Sequence, residues 1–270
     1  MFPTIVTAIR IRKRHLVALV VLVFLAFFLA RLLEDKSNRQ FVAAMAPAVA
    51  NRVIVVDPGH GGIDPGVVGK NGVLEKDITL AVGQRLAANL GQAGAMVLMT
   101  RETDTDLSDS ATLGAAAKKG EDLKRRMALA NDNQADLYVS VHVNSFPSSK
   151  RHGAQTFVQP GMENSMKASQ YIQDELAKLL RNTTRQPVEV DYYVTRNTVM
   201  PAVVVEIGFI SNDAEAKLLE DPAYQGKVAW AIYAGVVKYF AGQGPLTKAE
   251  PSREEIIKTF KENSTKGLKP

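Results

Sequence analysis

The sequence predicts an α/β fold: a single domain with a mostly parallel, twisted sheet covered by helices on both faces. Three observations carry this. Short runs dense in Val and Ile recur between residues 52 and 208. Longer stretches with apolar residues at three- and four-residue spacing separate them. The strand-like runs are apolar on both faces, which suits burial between two helical layers. At 270 residues and 46% hydrophobic, the chain can bury one substantial core.

The N-terminal segment comes first. A basic cluster, "RIRKR", precedes an apolar run over residues 16–30 that extends to residue 33 if Arg31 reaches back to a headgroup layer. The run is close to the roughly 20 residues that span a bilayer. It is apolar all round and basic on its leading side, unlike a surface helix of a soluble domain. Residues 1–36 are therefore expected to be a membrane anchor or signal segment. An A-x-A pattern at Ala44–Ala46 would suit signal cleavage, but it lies beyond the charged stretch "EDKSNRQ", so an uncleaved anchor is the preferred reading. Both readings place the remainder outside the cytoplasm. Residues 37–51 read as a tether.

Within the expected domain, residues 52–241, strands are expected at "RVIVVD" (52–57), "AMVLMT" (95–100), "LYVSVHV" (137–143), "AQTFVQ" (154–159) and "AVVVEIG" (202–208). Helices are expected near 76–91, 121–133, 163–181 and 222–240. The first carries Leu74, Ile78, Val82, Leu86 and Leu90 at four-residue spacing on one stripe. Residues 242–270 form a tail in which Ser252 and Glu255 make a capping box ahead of Ile256, Ile257 and Phe260, enough for one short helix.

Composition narrows the chemistry. Residues 1–36 carry +4 of the formal net charge of +5. The near-neutral remainder argues against a nucleic-acid partner. With no cysteine, disulfides are excluded and a metal ion must be held by imidazole and carboxylate.

In an open parallel sheet ligands bind at the carboxyl ends of the strands, so polar residues there take priority. "DPGHGG" places His60 directly after the first strand, in a loop whose glycines allow a sharp turn and close backbone approach. The loop lacks the Lys-Ser or Lys-Thr pair of a phosphate-binding loop and the G-x-G-x-x-G dinucleotide pattern. In "LYVSVHVNS", alternation puts Ser140, His142 and Asn144 on one face; a core histidine bonded to a carbonyl is the plainer alternative for His142. In "PAVVVEIGFISN", Glu206 interrupts an apolar strand, and a buried carboxylate needs a cation, a metal or a proton. An ion pair to Arg126 or Arg196 would also satisfy it. Glu75 and Asp77 both sit in a first helical turn, where the macrodipole favours acids regardless of function, and spacing does not choose between them. Two histidines and an acid make a three-ligand site with a position left for water, while a second acid stays free as base.

"VVDPGHGG", "LEKD", "SVHVNS" and "PAVVVEIGFISN", in this order, resemble the zinc-dependent N-acetylmuramoyl-L-alanine amidases of the Amidase_3 class over about residues 52–241. "MTRETDTDLS", "GAQTFV", "YIQDELAKLLRNTTRQ" and the N-terminal apolar segment resemble its membrane-associated spore-cortex branch. The resemblance implies Zn2+ held by His60, Glu75 and His142, with Glu206 as catalytic acid/base; it selects Glu75 over Asp77. Asn144 and Arg196 are the expected substrate contacts, and His152 belongs to no motif. The implied reaction is hydrolysis of the amide between the lactyl group of N-acetylmuramic acid and L-alanine in peptidoglycan, in cortex maturation leading to muramic lactam. The expected partners are peptidoglycan and a membrane, with an activating protein left open. The expected location is extracytoplasmic, anchored or secreted, including the forespore intermembrane space. A carboxypeptidase-like zinc hydrolase and a non-catalytic wall-binding protein are the alternatives. Some relatives cover the zinc with a long helical insertion before the catalytic glutamate; residues 160–201 leave room for one helix and a short strand, which predicts an open cleft.

Overall fold

The computed structural model describes residues 13–70 and 72–243. The chain divides into two units, residues 1–44 and 45–270. The C-terminal helix expected around residues 252–260 lies outside the described residues.

In the first unit, helix α1 (Lys13–Met45) is continuous and its apolar side chains from Leu16 to Leu33 are exposed. By length and composition it could cross a membrane. The expected tether is not a loop. Residues 37–45 continue α1 because "SNRQFVAAM" has neither Gly nor Pro and is rich in helix formers. The chain turns into a 3-10 segment, Ala46–Val49, only where Pro47 arrives.

The second unit is built on a six-stranded sheet of order β2-β1-β3-β6-β4-β5. Its strands are β1 (Val53–Pro58), β2 (Met96–Met99), β3 (Leu137–Asn144), β4 (Gln155–Val158), β5 (Val188–Glu189) and β6 (Ala202–Phe209). β2, β1, β3 and β6 run parallel, and β4 pairs antiparallel with β6. The α/β expectation holds, and β4 and β5, parallel to each other and opposite to the other four, are the departure that "mostly parallel" allows.

Alternation along β1 shows how two faces are filled. Val55 packs with Ala130 of α3 (Ala115–Asp132), while Val56 lies near Gly83 of α2 (Glu75–Gln92), where a Cβ would meet Pro58 at 2.7 Å. The α2 stripe Ile78, Val82, Leu86 and Leu90 is buried. α4 (Glu163–Leu180) packs against α7 (Pro222–Gly242), which also contacts α2. Two elements escaped the sequence reading: α5 (Tyr193–Arg196), a single turn, and α6 (Asp213–Glu220). α6 is capped by Asn212, whose side chain accepts from the Ala214 and Glu215 amides.

Candidate metal centre and active site

The site forms where β1, β3 and β6 lie side by side. His60 follows β1; His142 and Glu206 pair directly across β3 and β6. Glu75 is the first residue of α2. The loop from β1 to α2 brings it back over the strand ends, with the Glu75 amide donating to the Val67 carbonyl at 2.9 Å.

His60, Glu75 and His142 each offer a ligand atom, all within 4.8 Å of one another. Glu75 Oε1 lies 3.2 Å from His60 Nε2 and 3.1 Å from His142 Nδ1. Its carboxylate also accepts the Val67 amide at 2.8 Å and the Val143 amide at 2.9 Å. Burial alone would raise the Glu75 pKa, but hydrogen bonds and charge from His142 and His60 outweigh it and hold the group well below the usual carboxylate range. Asp77, in the same first turn, is exposed.

Backbone geometry makes room for the cluster. His60 itself adopts a left-handed φ of 64°. A Cβ on Gly59 would sit 2.2 Å from His142 Cε1, and one on Gly66 would meet Glu75 Oε2 at 2.6 Å. Both positions therefore need glycine for close approach.

Two arginines hold this loop from below. Arg126 Nη1 donates to the Pro58 carbonyl at 2.9 Å and Nη2 to the His60 carbonyl at 2.7 Å. Arg101 Nε donates to the Pro58 carbonyl at 2.9 Å and Nη2 to the Gly59 carbonyl at 3.0 Å. Arg126 is balanced by Asp57 at 2.8 Å and Asp122 at 2.8 Å. Arg196 pairs with Asp191, its Nε 2.6 Å from Oδ1. Neither arginine compensates Glu206.

Glu206 is instead a half-buried residue whose Oε2 atom is buried and has no hydrogen-bond partner. Burial pushes it up to about 7; the charge of His142 draws it down and that of Glu75 adds to the rise. It lines a cleft of about 220 Å³ together with His60, His142, Asp64, Lys119 and Tyr192. α4 contributes nothing to this lining; from residues 160–201 only Tyr192 and the start of the single-turn α5, Tyr193 and Val194, reach it.

The remaining expected residues fall elsewhere. The register of β3 against β6 shifts between His142 and Asn144, with the extra residue on β6, and β3 keeps its alternation: His142 and Asn144 are both half-buried on either side of buried Val143. Neither Asn144 nor Arg196 is among the cleft-lining residues. His152 is exposed, its ring bonded to the Lys150 carbonyl. Sequence reasoning missed Asp64, Lys119 and Arg101. Only Asp64 left a local trace, an acid four residues after His60 in the same loop.

Fold and site together define an α/β enzyme with a candidate metal centre at the carboxyl end of its sheet. Residues 54–238 match the Amidase_3 family, N-acetylmuramoyl-L-alanine amidase. The germination-specific N-acetylmuramoyl-L-alanine amidase of Bacillus subtilis is 45% identical over 197 residues, 73% of this chain and 83% of the relative. The CwlD amidase from Clostridioides difficile, solved in complex with the GerS lipoprotein, is 39% identical with a TM-score of 0.70, over 71% of this chain and 100% of that one. The catalytic domain of CwlV from Paenibacillus polymyxa var. colistinus is 32% identical with a TM-score of 0.62, over 70% of this chain and 98% of that one. The chain belongs to the N-acetylmuramoyl-L-alanine amidase family and is an amidase of peptidoglycan. Its His60, Glu75 and His142 cluster is consistent with the zinc enzymes of that family.

Proposed function

We propose that the chain is a zinc-dependent amidase that cleaves the bond between the lactyl carbonyl of N-acetylmuramic acid and L-alanine, acting on spore cortex, with His60, Glu75 and His142 as metal ligands and Glu206 as acid/base. The observation that carries the reading is Glu206 Oε2: a buried, unpartnered carboxylate oxygen beside a two-histidine, one-carboxylate cluster. A group so placed is costly unless it has work to do.

The donor set fits zinc, which accepts two imidazoles and a carboxylate while leaving a position open. When bound, zinc supplies Lewis acidity that acidifies water and polarises a carbonyl. Glu75 brings one negative charge and accepts two backbone amides, which fixes its orientation. Glu206 takes the proton of the attacking water as the water oxygen bonds to the lactyl carbon. It then delivers that proton to the alanine nitrogen as the carbon–nitrogen bond breaks, since an amide does not expel an unprotonated amine. The products are a stem peptide with a free amine and a glycan with a free lactyl carboxyl. In cortex, later removal of the acetyl group would let the freed carboxyl and amine close to muramic lactam. A pKa raised towards 7 suits a group that must both take and give a proton near neutrality, and a bound cation draws it back down.

The cortex assignment is supported by similarity to the germination-specific enzyme and to the CwlD structure. The latter was solved with a lipoprotein, so a protein partner for this chain is part of the proposal. The N-terminal apolar helix supports a location at a membrane outside the cytoplasm, such as the forespore intermembrane space.

Digestion of purified cortex peptidoglycan, with and without a chelator, tests the reading. Mass spectra are expected to show muramic acid freed of its peptide, lost on chelation and restored by zinc. Cleavage within the stem peptide instead would identify a carboxypeptidase-like enzyme.

A further inference from the structure

His60 is fixed at its backbone and at its ring. Arg126 Nη2 holds the carbonyl at 2.7 Å, and Asp64 Oδ2 lies 2.9 Å from ring Nδ1. Asp64 is itself immobilised. Its Oδ1 accepts the Gly66 amide at 3.1 Å. Its backbone exchanges two hydrogen bonds with Gly61, at 2.9 and 3.0 Å. Lys119 Nζ, from α3, lies 2.9 Å from the same Oδ2 that faces the histidine.

An ionised carboxylate only accepts hydrogen bonds, so the proton between Asp64 and His60 belongs to Nδ1. In the neutral ring Nε2 then carries the lone pair, and Nε2 is the atom that faces Glu75 Oε1 at 3.2 Å. Two acceptors at that separation repel unless a cation lies between them. Without Asp64 the opposite tautomer would be favoured: Nε2–H could donate to Glu75, which satisfies the pair internally and removes the lone pair a metal needs. The carboxylate partner thus decides which of two low-energy arrangements the loop adopts.

We infer that Asp64 is a positioning residue that selects the Nδ1–H tautomer of His60 and presets Nε2 as the metal-facing atom. This rests on the zinc reading above. It assigns work to a cleft-lining residue that belongs to neither the ligand set nor the acid/base.

The test uses the full chain in detergent. Long-range proton–nitrogen correlation spectra of the metal-free protein read the His60 tautomer directly; wild type is expected to show Nδ1–H and a bare Nε2. Asp64→Asn, whose amide can turn an N–H towards Nδ1, is expected to populate the other tautomer. It should also weaken zinc, measured by competition with a chelator of known affinity, by about 10- to 100-fold. Lys119→Met keeps the carboxylate and is expected to keep the tautomer, with zinc affinity within about threefold, less than the smallest loss expected when a carboxylate partner is removed. A wild-type spectrum with Nε2–H overturns the inference even if the Asp64 variant does not fold. So does a folded Asp64→Asn protein that binds zinc as tightly as wild type, or an equal loss in Lys119→Met, which would assign the effect to local charge. A wild-type chain that binds no zinc, with the tautomer as expected, would instead strike the zinc chemistry.

Discussion

Glu206 and Gly59 show how single residues separate chemistry from structure. Glu206→Gln removes the proposed proton carrier but none of the three candidate ligands, so the variant is expected to keep one zinc per chain and lose nearly all amide cleavage; normal turnover would remove Glu206 from the mechanism. Gly59→Ala does the reverse. Its new methyl group would fall 2.2–2.6 Å from the His142 ring atoms, so the ring must leave, and metal analysis is expected to find substoichiometric zinc in a folded protein. Asp57 has a third kind of role. Burial alone would raise its pKa, yet the Arg126 guanidinium and the Ser140 and Thr100 hydroxyls more than offset this and hold it well below the usual range. A depressed carboxylate contributes stability that is present above its unfolded pKa of about 4 and lost as pH falls towards the folded value. Denaturant melts of wild type should weaken below about pH 4, and Asp57→Asn should cost about 3 kcal/mol at pH 7 while flattening that acid dependence. A variant as stable as wild type at pH 7 would contradict the buried-pair account.

Elements contribute through how closely they pack. Gly235 in α7 lies against α4, where an added Cβ would meet the Ile172 backbone at 2.5 Å. Replacing a mid-helix Gly by Ala improves helix propensity by about 1 kcal/mol, whereas forcing two packed helices apart costs about 1–3 kcal/mol. The contact is with backbone, which has little freedom to yield, so overpacking is expected to win. Gly235→Ala should lower the melting temperature, and an increase would show that α4 and α7 can separate freely. The helices also deliver residues to the site: α2 presents Glu75 at its first position, and α3 carries Asp122 and Arg126 at i, i+4, aimed under the His60 loop.

For the whole molecule, the charge and apolar content of the chain are unevenly divided. Residues 1–36 hold nearly all the net charge and an exposed apolar helix, whereas the sheet, the cleft and the candidate metal cluster all lie within residues 45–243. Removing residues 1–36 is expected to shift the enzyme from the membrane to the soluble fraction with its amidase activity intact. The intact mass of membrane-extracted protein checks the anchor reading, since loss of residues through Ala46 would show signal cleavage instead.

Fold class and the chemistry-bearing residues were legible along the chain because each leaves a local mark. Unbroken Val and Ile runs signal strands buried on both faces, a histidine among glycines signals close approach, and an isolated glutamate in an apolar strand signals an uncompensated charge. The choice of Glu75 over Asp77 was not local, since the two acids occupy the same first turn and only the closure of the 61–74 loop onto β3 makes one of them a neighbour of both imidazoles. The same holds for Arg101, Arg126 and Asp64, whose partners are carbonyls and a ring set by chain path. Periodicity reports which side of a strand or helix a residue occupies. It carries no information on the direction in which a loop returns, and that direction, set by packing, decided which side chains meet.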